Sequence, residues 1–195
     1  MRDNQRSRLY AAERMAFGSP WEYPPDYKTM PECEAFVASV LRHKIFQRHY
    51  PEYESLNLLL RPGKRVRSAF ADTREIDGVV YHAITLPKFA RSKHMILHEL
   101  AHHLNNLRNP GDKEPHGHEF AAIYIDLVHK FLGIDTYREL RRCFTKKKVR
   151  TWERKPSAHS EEHRKMLADR MRGFNAARNA ARQNVGQDLG QDSAQ

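Results

Sequence analysis

The sequence Met95-Ile96-Leu97-His98-Glu99-Leu100-Ala101-His102-His103-Leu104 sets H-E-x-x-H inside a run whose apolar positions, Leu97, Leu100, Ala101, Leu104 and Leu107, recur at helical spacing. On a helix of about 3.6 residues per turn, residues four apart lie about 40° from each other around the axis, so the imidazoles of His98 and His102 can converge on one ion. Neutral imidazole nitrogen is a good zinc donor, and a catalytic Zn²⁺ takes three protein ligands and one water. Glu99, beside the first ligand, reaches that water rather than the metal, which casts it as general base. Three fixed positions recur by chance in chains of this length, so the apolar helical frame gives the motif its weight.

The chain around this motif has 195 residues, room for one globular domain with a real core plus an extension. Its net charge is +10. A basic balance of this size suits nucleic acid, anionic membrane or acidic protein, and leaves the fold open. Cys33 and Cys143 have no paired spacing, which argues against a disulfide framework and against a cysteine-based zinc knuckle. The opening residues carry no apolar signal region and no stretch approaches membrane-spanning length, so the expectation is a cytoplasmic protein without a membrane anchor.

Upstream of the motif, residues 3–16 read as a helix with Asp3 as a cap and a loose apolar stripe of Leu9, Tyr10, Ala12, Met15 and Phe17. Residues 19–30, with Pro20, Pro24 and Pro25 among aromatic residues, read as an extended connection. A second helix is expected from Pro31 to Gln47 or Tyr50. Three strands follow, Leu56–Leu60, Arg67–Ala71 and Val79–Leu86, with turns at Pro62-Gly63 and Asp77-Gly78. The last strand is the most apolar and feeds into the motif helix. It is expected to border a cleft and to pair with an extended substrate.

Downstream, Asn105–Pro115 is polar and turn-rich. From Phe120 a helix with Ile123, Tyr124, Leu127, Val128 and Phe131 on one face runs to Leu132, where Gly133 caps it, and a further helix runs from Asp135 to about Lys147. Residues 146–182 hold twelve Lys/Arg against four Asp/Glu, so most of the positive charge sits there. The chain is expected to divide into a domain over 1–145 and a basic, flexible or partly helical extension over 146–195.

Several histidines compete to be the third ligand. His94 shares the stripe of His98 and His102 but lies two turns, about 12 Å, from His102, and His103 points about 140° away from His98. His116 and His118 follow a connection long enough for the chain to reverse, and Gly117 between them lets the backbone pass close to a metal. Metal chemistry accepts either.

The strand ending Ile84-Thr85-Leu86-Pro87, the run Met95–His102 and then His116-Gly117-x-x-Phe120 together resemble the SprT-like zincins, in which H-E-x-x-H is followed by H-G-x-x-[F/W]. The resemblance implies His98, His102 and His116 as zinc ligands and Glu99 as general base. It also implies an α+β, zincin-like single domain, with a small, about three-stranded, antiparallel or mixed sheet packed on the motif helix and further helices. The opening Arg2-Asp3-x-Gln5-Arg6-x-x-x-Tyr10-Ala11-Ala12-Glu13 is similar to that of uncharacterised metallohydrolases of actinobacteria and their phages, a likeness spanning residues 2–145. Those proteins often have proline where this chain has His118, which stands as the alternative third ligand.

The expected function is that of a zinc metallopeptidase, with Zn²⁺ as cofactor and a protein or peptide as substrate. Tyr124, His118 and the arginines are the candidates for stabilising an oxyanion. Two alternatives belong to other classes. One is a nucleic-acid-associated protein, including a protease acting on DNA-bound proteins, in which Lys146, Lys147, Lys148, Arg150, Arg154 and Lys155 contact phosphate and Trp152 stacks on bases. The other is a structural zinc protein, whose site would close with four protein ligands.

Overall fold

Asp77 and Gly78 both take positive φ, 52° and 76°, the left-handed pair that joins two strands in a tight hairpin. That turn fixes the register of β2 (Phe70–Ile76) against β3 (Val79–Leu86), antiparallel with Ile76 opposite Val79 and Phe70 opposite Thr85. On the other side of β3 lies β1 (Asn57–Pro62), parallel to it, so the sheet order is β1-β3-β2. The computed structural model describes residues 3–19, 24–51, 53, 57–63, 68–109, 111 and 113–152. Within them the fold is α+β, with six α-helices and this three-stranded mixed sheet.

The topology corrects two expectations. The second strand lies at 70–76 rather than 67–71, because the hairpin sets its length, and its Asp72-Thr73-Arg74-Glu75 run faces outward enough to carry no apolar signal. More consequentially, β3 is the central strand, with both edges taken by β1 and β2. It has no free edge for a substrate. Among the described residues the open edge nearest the motif helix belongs to β2.

The helices are α1 (Arg6–Phe17), α2 (Met30–Leu41), α3 (Lys44–His49), α4 (Lys93–Arg108), α5 (His118–Leu132) and α6 (Ile134–Lys147). The single helix expected over 31–50 is divided. His43 adopts extended backbone and its Nδ1 accepts from the Ile45 N–H at 3.2 Å, starting α3 afresh. On α4, the residues Ile96, Leu97, Leu100, Ala101 and Leu104 are fully buried. They meet Phe120, Tyr124, Leu127 and Val128 of α5 in the core. Each such aliphatic or phenyl side chain contributes roughly 1.5–3 kcal/mol by leaving water, so α4 is held as firmly as any element of the fold. It is a rigid base for the motif residues.

Helix α6 ends where Lys148 turns left-handed, φ 57°, and the Val149 N–H closes on the Phe144 carbonyl at 2.9 Å. Lys146 and Lys147, counted in the sequence as the start of the extension, form its last turn. The chain then returns to α1. The Gln5 side chain accepts from the Arg150 N–H at 2.8 Å and donates to the Arg150 carbonyl at 3.0 Å. No helix among the described residues is long and apolar enough to cross a membrane. Pro20, Trp21 and Tyr23 of the expected extended connection, and residues 153–195 of the expected basic extension, lie outside the described residues.

Candidate metal centre

His98 and His102 stand one turn apart on α4, and His116 enters from the loop just before α5. Their ligand atoms all lie within 4.8 Å of one another. Three imidazoles so placed can hold a metal ion. The loop positions His116 through two contacts: the Gln5 side chain donates to its carbonyl at 3.1 Å, and the Gly117 N–H closes a turn on the Glu114 carbonyl at 2.9 Å. A Cβ at Gly117 would meet that Glu114 carbonyl at 3.1 Å and the Glu119 carboxylate at the same distance. A side chain at this position would press on the turn itself.

Two carboxylates of the chain's opening segment orient two of these histidines. Glu13 of α1 lies 2.7 Å from His98 Nδ1, and Asp3 lies 2.6 Å from His116 Nδ1. With each Nδ1–H donated to a carboxylate, each Nε2 keeps its lone pair and faces the group. This is the arrangement in which histidine ligands are oriented and made more basic. Asp3 also accepts from the Arg6 N–H at 3.1 Å, so one side chain caps α1 and holds a ligand. These partners escaped the reading of the sequence as ligands' supports. A signal was present: Glu13 sits on the same helical stripe as the buried Leu9 and Ala12, a charge on an apolar face.

The electrostatics follow from burial. His98 is buried, which disfavours its charged form, but the Glu13 carboxylate overrides this and raises its pKa. Glu13, which burial alone would push up, is held below its ordinary value by the same partner. His102 is pushed well down by burial and by its neighbours His98 and His116, and His116 is pushed down mainly by burial. Both are thus neutral donors at neutral pH. Glu99 is pushed up to about 7 by burial, with Glu13 adding to it, against the opposing effects of His98 and the Ala71 N–H. A carboxyl poised near neutrality can both take and return a proton.

The three histidines and Glu99 open into a cleft of about 460 Å³. Ala69, Phe70 and Ala71 at the start of β2 form one wall, and Arg6 and Tyr10 of α1 line it too. The Tyr10 hydroxyl lies 3.2 Å from His116 Nε2.

The other candidates lie elsewhere. His118 opens α5 and pairs with Glu119 at 3.1 Å, outside the histidine group. His103 is buried against the sheet, with Nε2 3.1 Å from the Ala83 carbonyl and Nδ1 3.3 Å from His82. His94 stacks on Phe17 with centroids 4.2 Å apart. Tyr124 is fully buried beside His98 and does not line the cleft. Lys146, Lys148 and Trp152 are exposed, and Lys147 and Arg150 are partly so. Arg154 and Lys155 lie outside the described residues. The sequence matches no known family model, no curated protein and no solved structure.

Proposed function

We propose that the protein is a zinc-dependent hydrolase of the zincin type that cleaves peptide bonds, with His98, His102 and His116 holding the ion and Glu99 as general base. The observation that carries this reading is the convergence of the three histidines on one point with the Glu99 carboxylate in the same cleft. The donor set fits zinc, since three imidazoles, two of them oriented by a carboxylate at Nδ1, are a standard catalytic complement. Among the described residues the group holds three ligands rather than four, which favours a catalytic over a structural site. The same features support the likeness to SprT-like zincins.

A zinc ion in this position supplies Lewis-acid polarisation of a carbonyl and makes water acidic enough to attack at neutral pH. Glu99 accepts a proton from the attacking water as the water oxygen bonds to the carbonyl carbon. It then returns that proton to the amide nitrogen as the C–N bond breaks, leaving an amine and a carboxylic acid that ionises at neutral pH. The open edge of β2 beside Ala69–Ala71 suits a substrate in extended conformation. The testing substitution is Glu99→Gln, which keeps stoichiometric zinc and lowers hydrolysis of a peptide substrate by about 10²–10⁴-fold. A variant with undiminished hydrolysis refutes the assignment.

Trp152, 66% exposed next to a run of basic residues, favours a second and compatible reading, contact with nucleic acid. Salt-sensitive binding of single-stranded DNA that weakens in Trp152→Ala supports it, and no binding at low salt removes it.

A further inference from the structure

The sequence left open which group would stabilise negative charge on a substrate oxygen; of its candidates, Tyr124, His118 and the arginines, the first two do not line the cleft and Arg6 does. Tyr10 lines it too, beside the histidines. Asp3 engages Nδ1 of His116, so the lone pair of that imidazole is on Nε2, and the Tyr10 O–H donates to it at 3.2 Å. A cation bound by His116 takes the same lone pair. The Tyr10 proton then needs another acceptor, while the ring itself is held fast. It is stacked on His98, with centroids 5.7 Å apart and planes 15° apart, and set edge-on to His116 at 5.1 Å. The Arg6 guanidinium lies over the ring, 5.5 Å from its centroid. His98, His102 and His116 have no lone pair to spare once they bind a cation, and a ligand carbonyl entering the cleft offers the hydroxyl an acceptor.

We propose that the Tyr10 hydroxyl, displaced from His116 by the metal, is the hydrogen-bond donor to the carbonyl oxygen of the bound amide as that oxygen gains charge. The proposal rests on the zinc-hydrolase reading and adds to it a donor from α1, far in sequence from the H-E-x-x-H helix. Preorganised donors of this kind act by being in place before charge develops. Tyr10 donates without giving up its proton, so no further reactant enters.

The test compares the full-length chain with Tyr10→Phe, which keeps the ring and its stacking. Zinc affinity is measured by competition with a chromophoric chelator, and binding of acetohydroxamate, whose oxygens mimic a charged carbonyl, is measured on the cobalt-substituted protein from its visible absorption. The expected result is zinc affinity within about threefold of the parent and acetohydroxamate binding weaker by about tenfold or more, the loss of one hydrogen bond to a charged oxygen. Equal acetohydroxamate affinity in the two proteins overturns the role of Tyr10 and leaves the hydrolase reading intact. Loss of zinc from Tyr10→Phe overturns it as well, making Tyr10 part of the metal's own support. A parent protein that takes up no zinc refutes the underlying reading, and the proposal with it.

Discussion

Glu13 and Asp3 decide which nitrogen each of two histidines offers. Glu13→Gln keeps a hydrogen-bond acceptor beside His98 Nδ1 but removes the charge that supports the ligand. Zinc affinity is expected to fall about 10–100-fold in Glu13→Gln, and likewise in Asp3→Asn, measured by chelator competition. Glu13→Leu should do more, because His98 would lose its buried partner, and a loss of stability on the order of 3 kcal/mol is expected in chemical denaturation. At this scale the sequence was legible where spacing along one helix encodes proximity, as for His98, Glu99 and His102. It did not join Glu13, Asp3 or Tyr10 to the site, since their partners lie 85, 113 and 106 residues away, and the one local sign was the charge of Glu13 on an apolar helical face. From the residues alone His116 was reachable only as one of a pair with His118, while the resemblance singled out His116; the loop geometry that separates the two is tertiary.

Helix α1 is the element that ties the chain's opening segment to the site, and Gln5 is its anchor. Its side chain is 1% exposed and bridges the His116 carbonyl to both backbone groups of Arg150. Gln5→Ala leaves the His116 carbonyl buried without this donor and strips the half-buried Arg150 groups of theirs, and a loss of roughly 1–3 kcal/mol is expected in urea unfolding, with weaker zinc binding as the His116 loop loosens. At the start of α4, His94 is largely buried against Phe17 and its pKa is pushed down to about 4, mainly by burial, with Glu13 and Asp26 opposing and His98 adding to it. An unfolded histidine titrates near 6.5, so between pH 6.5 and 4 the unfolded chain binds more protons than the folded one, and stability is lost as pH falls through this window. His94→Phe removes that dependence. Unfolding free energies at pH 7 and pH 5 should show the parent losing up to about 2 kcal/mol more than the variant. The apolar stripes of α4 and α5 were plain from periodicity, whereas β2 was misplaced because an edge strand with one wet face carries polar residues like Asp72 and Arg74. The break at His43 was hidden as well, since a histidine cap has no sequence signature of its own.

For the molecule as a whole, the three strands and most helices could be read from pattern and the α+β class was implied by the resemblance, but the strand order could not be read. Pairing β1 parallel to β3 with β2 on the far side is a choice among topologies that alternation does not encode. That choice matters for function, because it moves the open edge beside the motif helix from β3 to β2. The central claim is that His98, His102 and His116 form one metal centre. Its most direct test is the zinc content of purified full-length protein after dialysis, by mass spectrometry of the metal, for the parent, His116→Ala and His118→Ala. The account predicts about one zinc per chain in the parent and in His118→Ala, and loss of most of it in His116→Ala. Retention of zinc in His116→Ala, or its loss only in His118→Ala, would contradict it.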